Sequence, residues 1–395
     1  MRERSVLIFG CGMLQRSLIA KARAMGLKTV GIDPCADAAA RKDVDVFEIV
    51  DGRDYEATLD AARRHAVAGL VTAATDKPLE MMARVASALS LPFFSVETAH
   101  RSTDKWLMKQ RFLSGGVPCA RGSLLSCAED ARKLRFPLIL KPRDNSGSRG
   151  VRICCSMEEV EEAFTAAMGF SRLDKVLAEE VIEGQEYSME GLHYGGRSEV
   201  IQFTEKQTTP FPYNVELAHR QPARLSAERQ DALRGILARI GECMGFENCA
   251  SHTEFKINGK GICVIESSPR TGGDYIVSDL TPLSTGVDME TQLLHLALGE
   301  TPDLSSGRVE KAAGVGFFHF PAGRVLCRTS AFDALAQAEG VVHWDCRLPD
   351  GAAVPPLTSS LDRYGEYILS ADTRDALDAR MDALEQQISQ KTNTY

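Results

Sequence analysis

The chain has 395 residues, of which 44% are hydrophobic and 25% are charged, and its formal net charge is −8. This length exceeds what one ordinary core requires, so two or three domains are expected. An acidic chain without a basic stripe is not typical of nucleic-acid-binding proteins, and no apolar run approaches the roughly 20 residues of a membrane-spanning helix.

The cysteines and the N-terminus indicate the compartment. The 11 cysteines show no paired spacing of the kind that zinc sites use. The first residues run directly into a strand-like stretch, without the hydrophobic region of a signal peptide. Together these features predict reduced thiols and a cytoplasmic protein.

The first hundred residues alternate between strand-like runs and helix-length stretches. Strands are predicted at residues 6–9, 28–33, 46–49 and 69–72. This alternation predicts a doubly wound α/β sheet over residues 1–101.

A glycine-rich turn after the first predicted strand raises the alternative of an NAD-binding oxidoreductase. Gly10 and Gly12 supply two-thirds of a dinucleotide motif, and Asp33 ends the second strand where a ribose-binding acid would stand. The third glycine position is Gln15, however, so a tight turn into a helix is the better interpretation. Residues 75–78 are predicted to cap the next helix, with proline near its first turn.

Near residue 140, an apolar strand ends in Lys141 and is followed by proline. A lysine at the end of a buried strand is costly to desolvate unless an anion meets it. The loop 145–150 can then direct backbone N–H groups at phosphate oxygens and close over them, although an ordinary turn is the competing interpretation. Its small central residues are Ser146, Gly147 and Ser148.

A second strand, residues 176–182, has the length to run along the edge of an adenine, with Ile182 against the ring. Glu186 lies just beyond and could accept hydrogen bonds from ribose hydroxyls. For the single acids Glu179 and Glu180, a solvated acidic turn remains the alternative.

Glu254 and Glu266 lie on two strand-like runs joined by the hairpin signal of residues 258–261. A hairpin would bring the two carboxylates alongside each other, where oxygen ligands suit Mg²⁺; exposed carboxylates on opposite faces are the alternative. Arg270 follows as a cation able to stabilise a transferring phosphoryl group or a tetrahedral centre. In this order, the polar segments from Lys141 to Arg270 predict a Mg-ATP site.

Over residues 1–300 these motifs resemble those of the ATP-grasp superfamily, specifically its carboxylate–amine ligases. The resemblance implies a pre-ATP-grasp α/β domain at 1–101 and an ATP-grasp domain at 102–300, with a lid at about 118–180. It implies further that Lys105 and Lys141 contact phosphates beneath the 145–150 loop. The implied adenine and ribose contacts come from Glu179, Glu180, Val181, Ile182 and Glu186.

The resemblance also implies the metal site and the catalytic cation. Glu254 and Glu266 would bind Mg²⁺, and Arg270, with Lys141, would act at the reacting acyl phosphate. The family usually has asparagine where this chain has Ser268, whose hydroxyl is a weaker and shorter ligand, so a second metal ion is less secure. Lys206 is a further candidate phosphate lysine. His219 is either a residue of the substrate cleft or a hydrogen-bonded structural histidine.

The C-terminal residues 301–395 carry no comparable polar motif. Strands are predicted near 312–320 and 364–370, followed by a helix whose apolar stripe is core or subunit contact, so a small α+β subdomain is expected. The stripe consists of Leu377, Met381, Leu384 and Ile388.

The function that the resemblance implies is ligation. A small carboxylate, as an acyl phosphate formed from ATP, would be joined to an amine with release of ADP and phosphate. Amino acids are the expected substrates, and analogy alone suggests a homodimer; neither nucleic acid nor membrane is an expected partner. The alternatives are the NAD(P)-dependent oxidoreductase and a nucleotide-binding protein without turnover.

Overall fold

The structure is a computed structural model that describes residues 4–145, 147, 149–210, 213–323, 325–327, 329–391 and 393–394. Ser146 and Ser148, two of the predicted phosphate-loop residues, lie outside the described residues.

The N-terminal sheet has four parallel strands in the order β3-β2-β1-β4. Its inner strand β1 is buried at every position, as expected of a parallel strand covered on both faces. This confirms the predicted doubly wound arrangement. The elements are β1 Ser5–Phe9, α1 Arg16–Ala24, β2 Lys28–Asp33, β3 Val46–Ile49, α2 Tyr55–Arg64, β4 Val67–Val71, α3 Leu79–Leu89, α4 Val96–Thr103 and α5 Lys105–Ser114.

Side chains of the chain itself hydrogen-bond to the backbone of the turn after β1. The Gln15 side chain accepts a hydrogen bond from the Gly12 N–H at 3.0 Å and donates one to the Ala73 carbonyl at 2.8 Å. The Asp33 carboxylate accepts from the Cys11 N–H at 2.8 Å. The side chains that a dinucleotide site would use are therefore engaged in holding this turn.

A second, smaller sheet, called the lid sheet below, lies within the segment predicted as the lid. Its strand order is β5-β8-β6-β7, and all of its pairs are antiparallel. Ala163 and Ala167 of one helix pack with Leu140 and Val176 of the strands in a separate core. The elements are β5 Gly122–Leu125, β6 Leu138–Lys141, β7 Arg152–Cys154, α6 Met157–Gly169 and β8 Val176–Glu180.

The central sheet has eight strands in the order β13-β12-β9-β10-β11-β14-β17-β16. The pairing of β11 with β14 carries this sheet across residue 301, so the strands of the C-terminal region extend it. The limits of the predicted domains remain a prediction. The strands are β9 Gln185–Tyr194, β10 Arg197–Thr208, β11 Glu216–Gln221, β12 Cys249–Asn258, β13 Gly261–Ser268, β14 Ala312–Phe317, β16 Val341–Cys346 and β17 Gly365–Ala371.

The remaining elements cover this sheet. The predicted C-terminal stripe is buried against β14 and β17 in one apolar cluster, and Thr373 accepts from the Ala376 N–H at 3.2 Å. None of the described helices is long and apolar enough to cross a membrane. These elements are α7 Ala227–Met244, α8 Thr281–Thr285, α9 Met289–Ala297, β15 Leu326–Cys327, α10 Ser330–Asp333, α11 Arg374–Lys391 and β18 Asn393–Thr394.

Candidate nucleotide and metal site

A cleft of about 610 Å³ is lined by residues from every part of the fold. Asp76 comes from the N-terminal domain, Lys141 from the lid sheet, Glu254 from the central sheet and Ser359 from the C-terminal region. Ser268 does not line it. The sequence-predicted residues that do are Lys105, Lys141, Gly147, Glu179, Glu180, Val181, Ile182, Glu186, Lys206, His219, Glu254, Glu266 and Arg270.

On the lid side, two lysines share one buried carboxylate. Lys141, the last residue of β6, contacts Glu179 of β8, and Lys109 of α5 lies 2.5 Å from the same carboxylate. Burial would raise the pKa of Glu179, but the two lysines outweigh it and hold the pKa below its usual range. Two cations against one anion leave net positive charge here, which suits a phosphate.

Lys105 is presented by the first turn of α5. Asp104 caps this helix by accepting from the Trp106 N–H at 2.9 Å, which fixes where Lys105 emerges. The Lys105 ammonium contacts the Glu266 carboxylate across the cleft. Burial would lower the pKa of Lys105, but Glu266 outweighs it, so the pKa is raised and the side chain stays charged.

The predicted hairpin places the two candidate metal ligands side by side. Glu254 of β12 pairs directly with Glu266 of β13, and a bulge follows Glu254. Directly paired residues of antiparallel strands project from the same face of a sheet, and both carboxylates line the cleft. The alternative of carboxylates on opposite faces is therefore wrong.

Lys206 sits among three acids of the central sheet. Its ammonium lies 2.7 Å from Glu254, 3.1 Å from Glu186 and 3.5 Å from Glu216. Burial would lower the pKa of Lys206, but these carboxylates outweigh it and raise the pKa well above its usual value. In the described part of the chain these three acids have oxygens within 4.8 Å of one another, close enough to hold a metal ion. Lys206 already supplies a cation to that acidic group.

Behind Glu254 lies a buried pair that the sequence did not single out. His252 contacts Glu190 at 2.6 Å through Nδ1 and Glu254 at 3.4 Å through Nε2. Burial would lower the pKa of His252, but Glu190 outweighs it and raises the pKa to about 9. Glu190 also accepts from the Gly272 N–H at 3.2 Å, which ties Glu254 to the loop after Arg270. The alternation of β12 points His252 and Glu254 to one face and was a usable signal.

Asp76 is a site residue that sequence reasoning assigned to another role. It does not cap α3: its carboxylate accepts from Arg270 Nε at 3.0 Å and from the Ser268 hydroxyl. Burial would raise the pKa of Asp76, but Arg270 outweighs it and lowers the pKa. The predicted cap is therefore wrong. Leaving the buried Arg270 charge without a carboxylate would cost more free energy than leaving the start of the helix without a side-chain cap.

Comparisons with known proteins agree with this architecture. Residues 134–279 match the ATP-grasp domain, and residues 316–392 match L-amino acid ligase C-terminal domain 2. The fold is shared with the crystal structure of L-amino acid ligase from Bacillus licheniformis, at a TM-score of 0.83 and 21% identity, covering 100% of this chain and 99% of that one.

Two curated relatives match in sequence. Alanine–anticapsin ligase of Bacillus amyloliquefaciens is 29% identical over 258 residues, which cover 58% of this chain and 54% of that protein. Dapdiamide A synthase of Enterobacter agglomerans is 26% identical over 230 residues, covering 53% of each protein. The match spans about half the length of these relatives.

The domain match, on the fold and cleft described above, identifies an ATP-grasp domain in this chain, as the sequence motifs predicted. The chain also carries a C-terminal domain of the type found in L-amino acid ligases.

Proposed function

We propose that this chain is an ATP-dependent ligase that joins a small carboxylate, an amino acid, to an amine and releases ADP and phosphate. The observation that supports it most is the convergence of Lys141, Lys105 and Arg270 with the paired carboxylates Glu254 and Glu266 on one cleft. The proteins that this chain resembles, ligases of amino acids among them, support the same reaction class.

The residues present fit ATP and Mg²⁺. A cleft of about 610 Å³ has the size of a small-molecule site. Lys105 contacts Glu266, and Lys206 contacts Glu254. A lysine ammonium therefore lies against each candidate metal ligand. Carboxylate oxygens are the ligands that Mg²⁺ prefers. When bound, Mg²⁺ would neutralise phosphate charge at Glu254 and Glu266.

In the proposed reaction, one oxygen of the substrate carboxylate bonds to the γ-phosphorus of ATP, and ADP leaves. The amine nitrogen then bonds to the acyl carbon, phosphate leaves and the nitrogen loses a proton. Lys141 and Lys105 would hold phosphate oxygens, and Arg270 would face the reacting carbonyl. Holding the reactants in line supplies roughly 7–11 kcal/mol of such a barrier without an enzyme nucleophile.

The neighbouring segments would complete this site. Glu179, Glu180, Val181 and Ile182 would border the adenine, and Glu186 the ribose. Closure of the 145–150 loop would exclude water, which competes with the amine for the acyl phosphate.

The test is incubation of the pure protein with Mg-ATP and pairs of amino acids, with ADP, phosphate and product mass followed together. We expect ADP release that depends on amino acids, and a product equal to the two substrates less one water. ATP binding without ADP release would favour a nucleotide-binding protein without turnover. Protection by NADH without ATP binding would favour an oxidoreductase. Either result would refute the proposal.

A further inference from the structure

The turn that follows Gly273 has an unusual backbone. Asp274 has φ of +51° and Tyr275 has φ of +64°. Side-chain-bearing residues rarely adopt such values, and two in succession persist only where the surrounding structure holds them. Asp274 lines the cleft four residues after Arg270, so this turn shapes the wall beside the candidate catalytic arginine.

Side chains of the C-terminal region, residues 301–395, contact Asp274 and fix its position. The Arg363 guanidinium donates to both carboxylate oxygens, at 2.7 and 2.8 Å, and only 11% of its side chain is exposed. The same guanidinium lies 3.7 Å from the centre of the Phe317 ring. His219 Nε2 approaches the carboxylate at 3.7 Å. A bidentate pair of this kind fixes direction as well as distance.

The C-terminal region also holds Tyr275. Its hydroxyl donates to Glu366 at 2.5 Å, and Glu366 is 3% exposed on β17. The other Glu366 oxygen accepts from Arg347 at 2.9 Å. Both residues of the strained turn are thus anchored in the same part of the chain, at sequence separations of 91 and 89 residues.

Arg363 reaches a second wall of the cleft as well. Its Nε donates to the Ser360 carbonyl at 3.0 Å. Thr358, Ser359 and Ser360 line the cleft, and none of them is among the residues predicted to bind the nucleotide. Arg363 therefore joins Asp274 to a part of the cleft wall that none of the predicted nucleotide residues forms.

We propose that Arg363 is a positioning residue of the ligase: by holding Asp274 and Ser360 together, it shapes the amino-acid-binding part of the cleft. This inference rests on the proposed function. It assigns to the C-terminal region a role in amino-acid recognition, while the nucleotide site is left to the lid and central sheets.

The experiment compares Arg363→Ala and Arg363→Lys with the control Arg374→Ala. Arg374 is 10% exposed, pairs with Glu205 at 3.2 Å and also joins the C-terminal region to the central sheet, but it does not line the cleft. We expect Arg363→Ala to raise KM for the amino acid at least tenfold, with KM for ATP within twofold. Arg374→Ala should change neither. Arg363→Lys should reverse only part of the rise in amino-acid KM, because its ammonium keeps the positive charge but cannot make the bidentate pair.

A second measurement does not depend on turnover. Amide hydrogen exchange of residues 272–280, without any ligand, should be faster in Arg363→Ala than in the wild type and unchanged in Arg374→Ala. Should Arg363→Ala not fold, Arg363→Lys and Asp274→Asn carry the same comparison.

Unchanged exchange in this segment, or an amino-acid KM equal to that of the control, would overturn the positioning role. If the wild type releases no ADP in response to amino acids, the proposed function fails, and the exchange result still decides whether Arg363 holds the turn.

Discussion

The candidate phosphate lysines in the cleft each contact a carboxylate of opposite charge. Lys105 contacts Glu266, Lys141 contacts Glu179, and Lys206 contacts Glu254. A buried charge without a counter-ion is strongly destabilising. Because each lysine has a carboxylate partner, both side chains can stay charged before a ligand binds. The same pairs must rearrange when a nucleotide competes for the lysines.

Glu266→Gln tests the metal assignment. We expect amino-acid-dependent ADP release to fall at least about 100-fold, because a neutral amide is a weaker Mg²⁺ ligand than a carboxylate. Chemical unfolding should show a much smaller change. Glu199→Gln, which also removes a glutamate from the central sheet but not from the cleft wall, should keep wild-type turnover. Full ADP release by Glu266→Gln at ordinary Mg²⁺ would show that the assignment is wrong.

His193 predicts a pH dependence of stability. Its ring nitrogens contact the Ser198 and Ser251 hydroxyls at 2.8 Å, and burial lowers its pKa to about 3. The unfolded chain takes up a proton as the pH falls through the usual histidine pKa, about 6.5, whereas the folded protein does not until about pH 3. Stability is therefore lost as the pH falls through that window, by about 2 kcal/mol between pH 7 and pH 5.

The measurement is the free energy of unfolding of wild type and His193→Gln at both pH values. The variant keeps hydrogen-bonding groups but does not titrate, so its loss should be smaller by about the same 2 kcal/mol. His100→Gln, at an exposed position, controls for loss of a histidine as such. Equal losses in wild type and His193→Gln would contradict the prediction.

At the scale of elements, short connections decide which side chains meet. The two-residue turn between β12 and β13 sets the register that pairs Glu254 with Glu266. The start of α5 sets the direction of Lys105, and the end of β6 sets that of Lys141. These turns and element boundaries therefore decide which charged side chains reach the cleft.

Gly286, which ends α8, tests one such boundary. It has φ of +76°, and a Cβ there would lie 1.9 Å from the Gly307 carbonyl oxygen. Gly196 has φ of +71° and open space around it. Gly286→Ala should therefore cost about 3 kcal/mol of unfolding free energy, against about 1 kcal/mol for Gly196→Ala, which bears only the backbone cost. If the two variants lose the same free energy of unfolding in denaturant, the prediction is wrong and the close contact with the Gly307 carbonyl can relax.

At the scale of the whole molecule, the cleft exists only because three sheets and the C-terminal region border it. A ligand bound there contacts parts of the chain that unfolding separates. Binding should therefore stabilise the folded protein as a unit, even though the lid has a core of its own.

Mg-ADP at 100 times its Kd should stabilise the protein by about 2.7 kcal/mol, seen as a rise in the midpoint of thermal unfolding. Chelating Mg²⁺ with EDTA should reduce that rise, since the phosphates then lose the ion that Glu254 and Glu266 would share. A rise that EDTA leaves unchanged would contradict a metal-bridged nucleotide.

The homodimer stays a prediction from the resemblance.

Much of the fold was predictable because local patterns carry it. The alternation of strands and helices identified the N-terminal sheet, and the turn at 258–261 identified the hairpin that pairs Glu254 with Glu266. The apolar stripe from Leu377 to Ile388 predicted a helix with a core or subunit contact, and the structure places that stripe in the core. Lys105 and Lys141 could be named as candidates because they stand at the start of a helix and at the end of a strand. Glu254 and Glu266 could be named because they lie on the two strands of a recognisable hairpin.

The sequence by itself determined the ATP-grasp domain, the order of its elements and many of the charged residues of the cleft, because periodicity and turn chemistry are local. Only the tertiary structure decided the partners: Asp76 for Arg270, Glu190 for His252 and Arg363 for Asp274. The members of each pair lie between 62 and 194 residues apart. No local preference encodes such contacts, since they form only when whole sheets pack and buried charges must find a counter-ion.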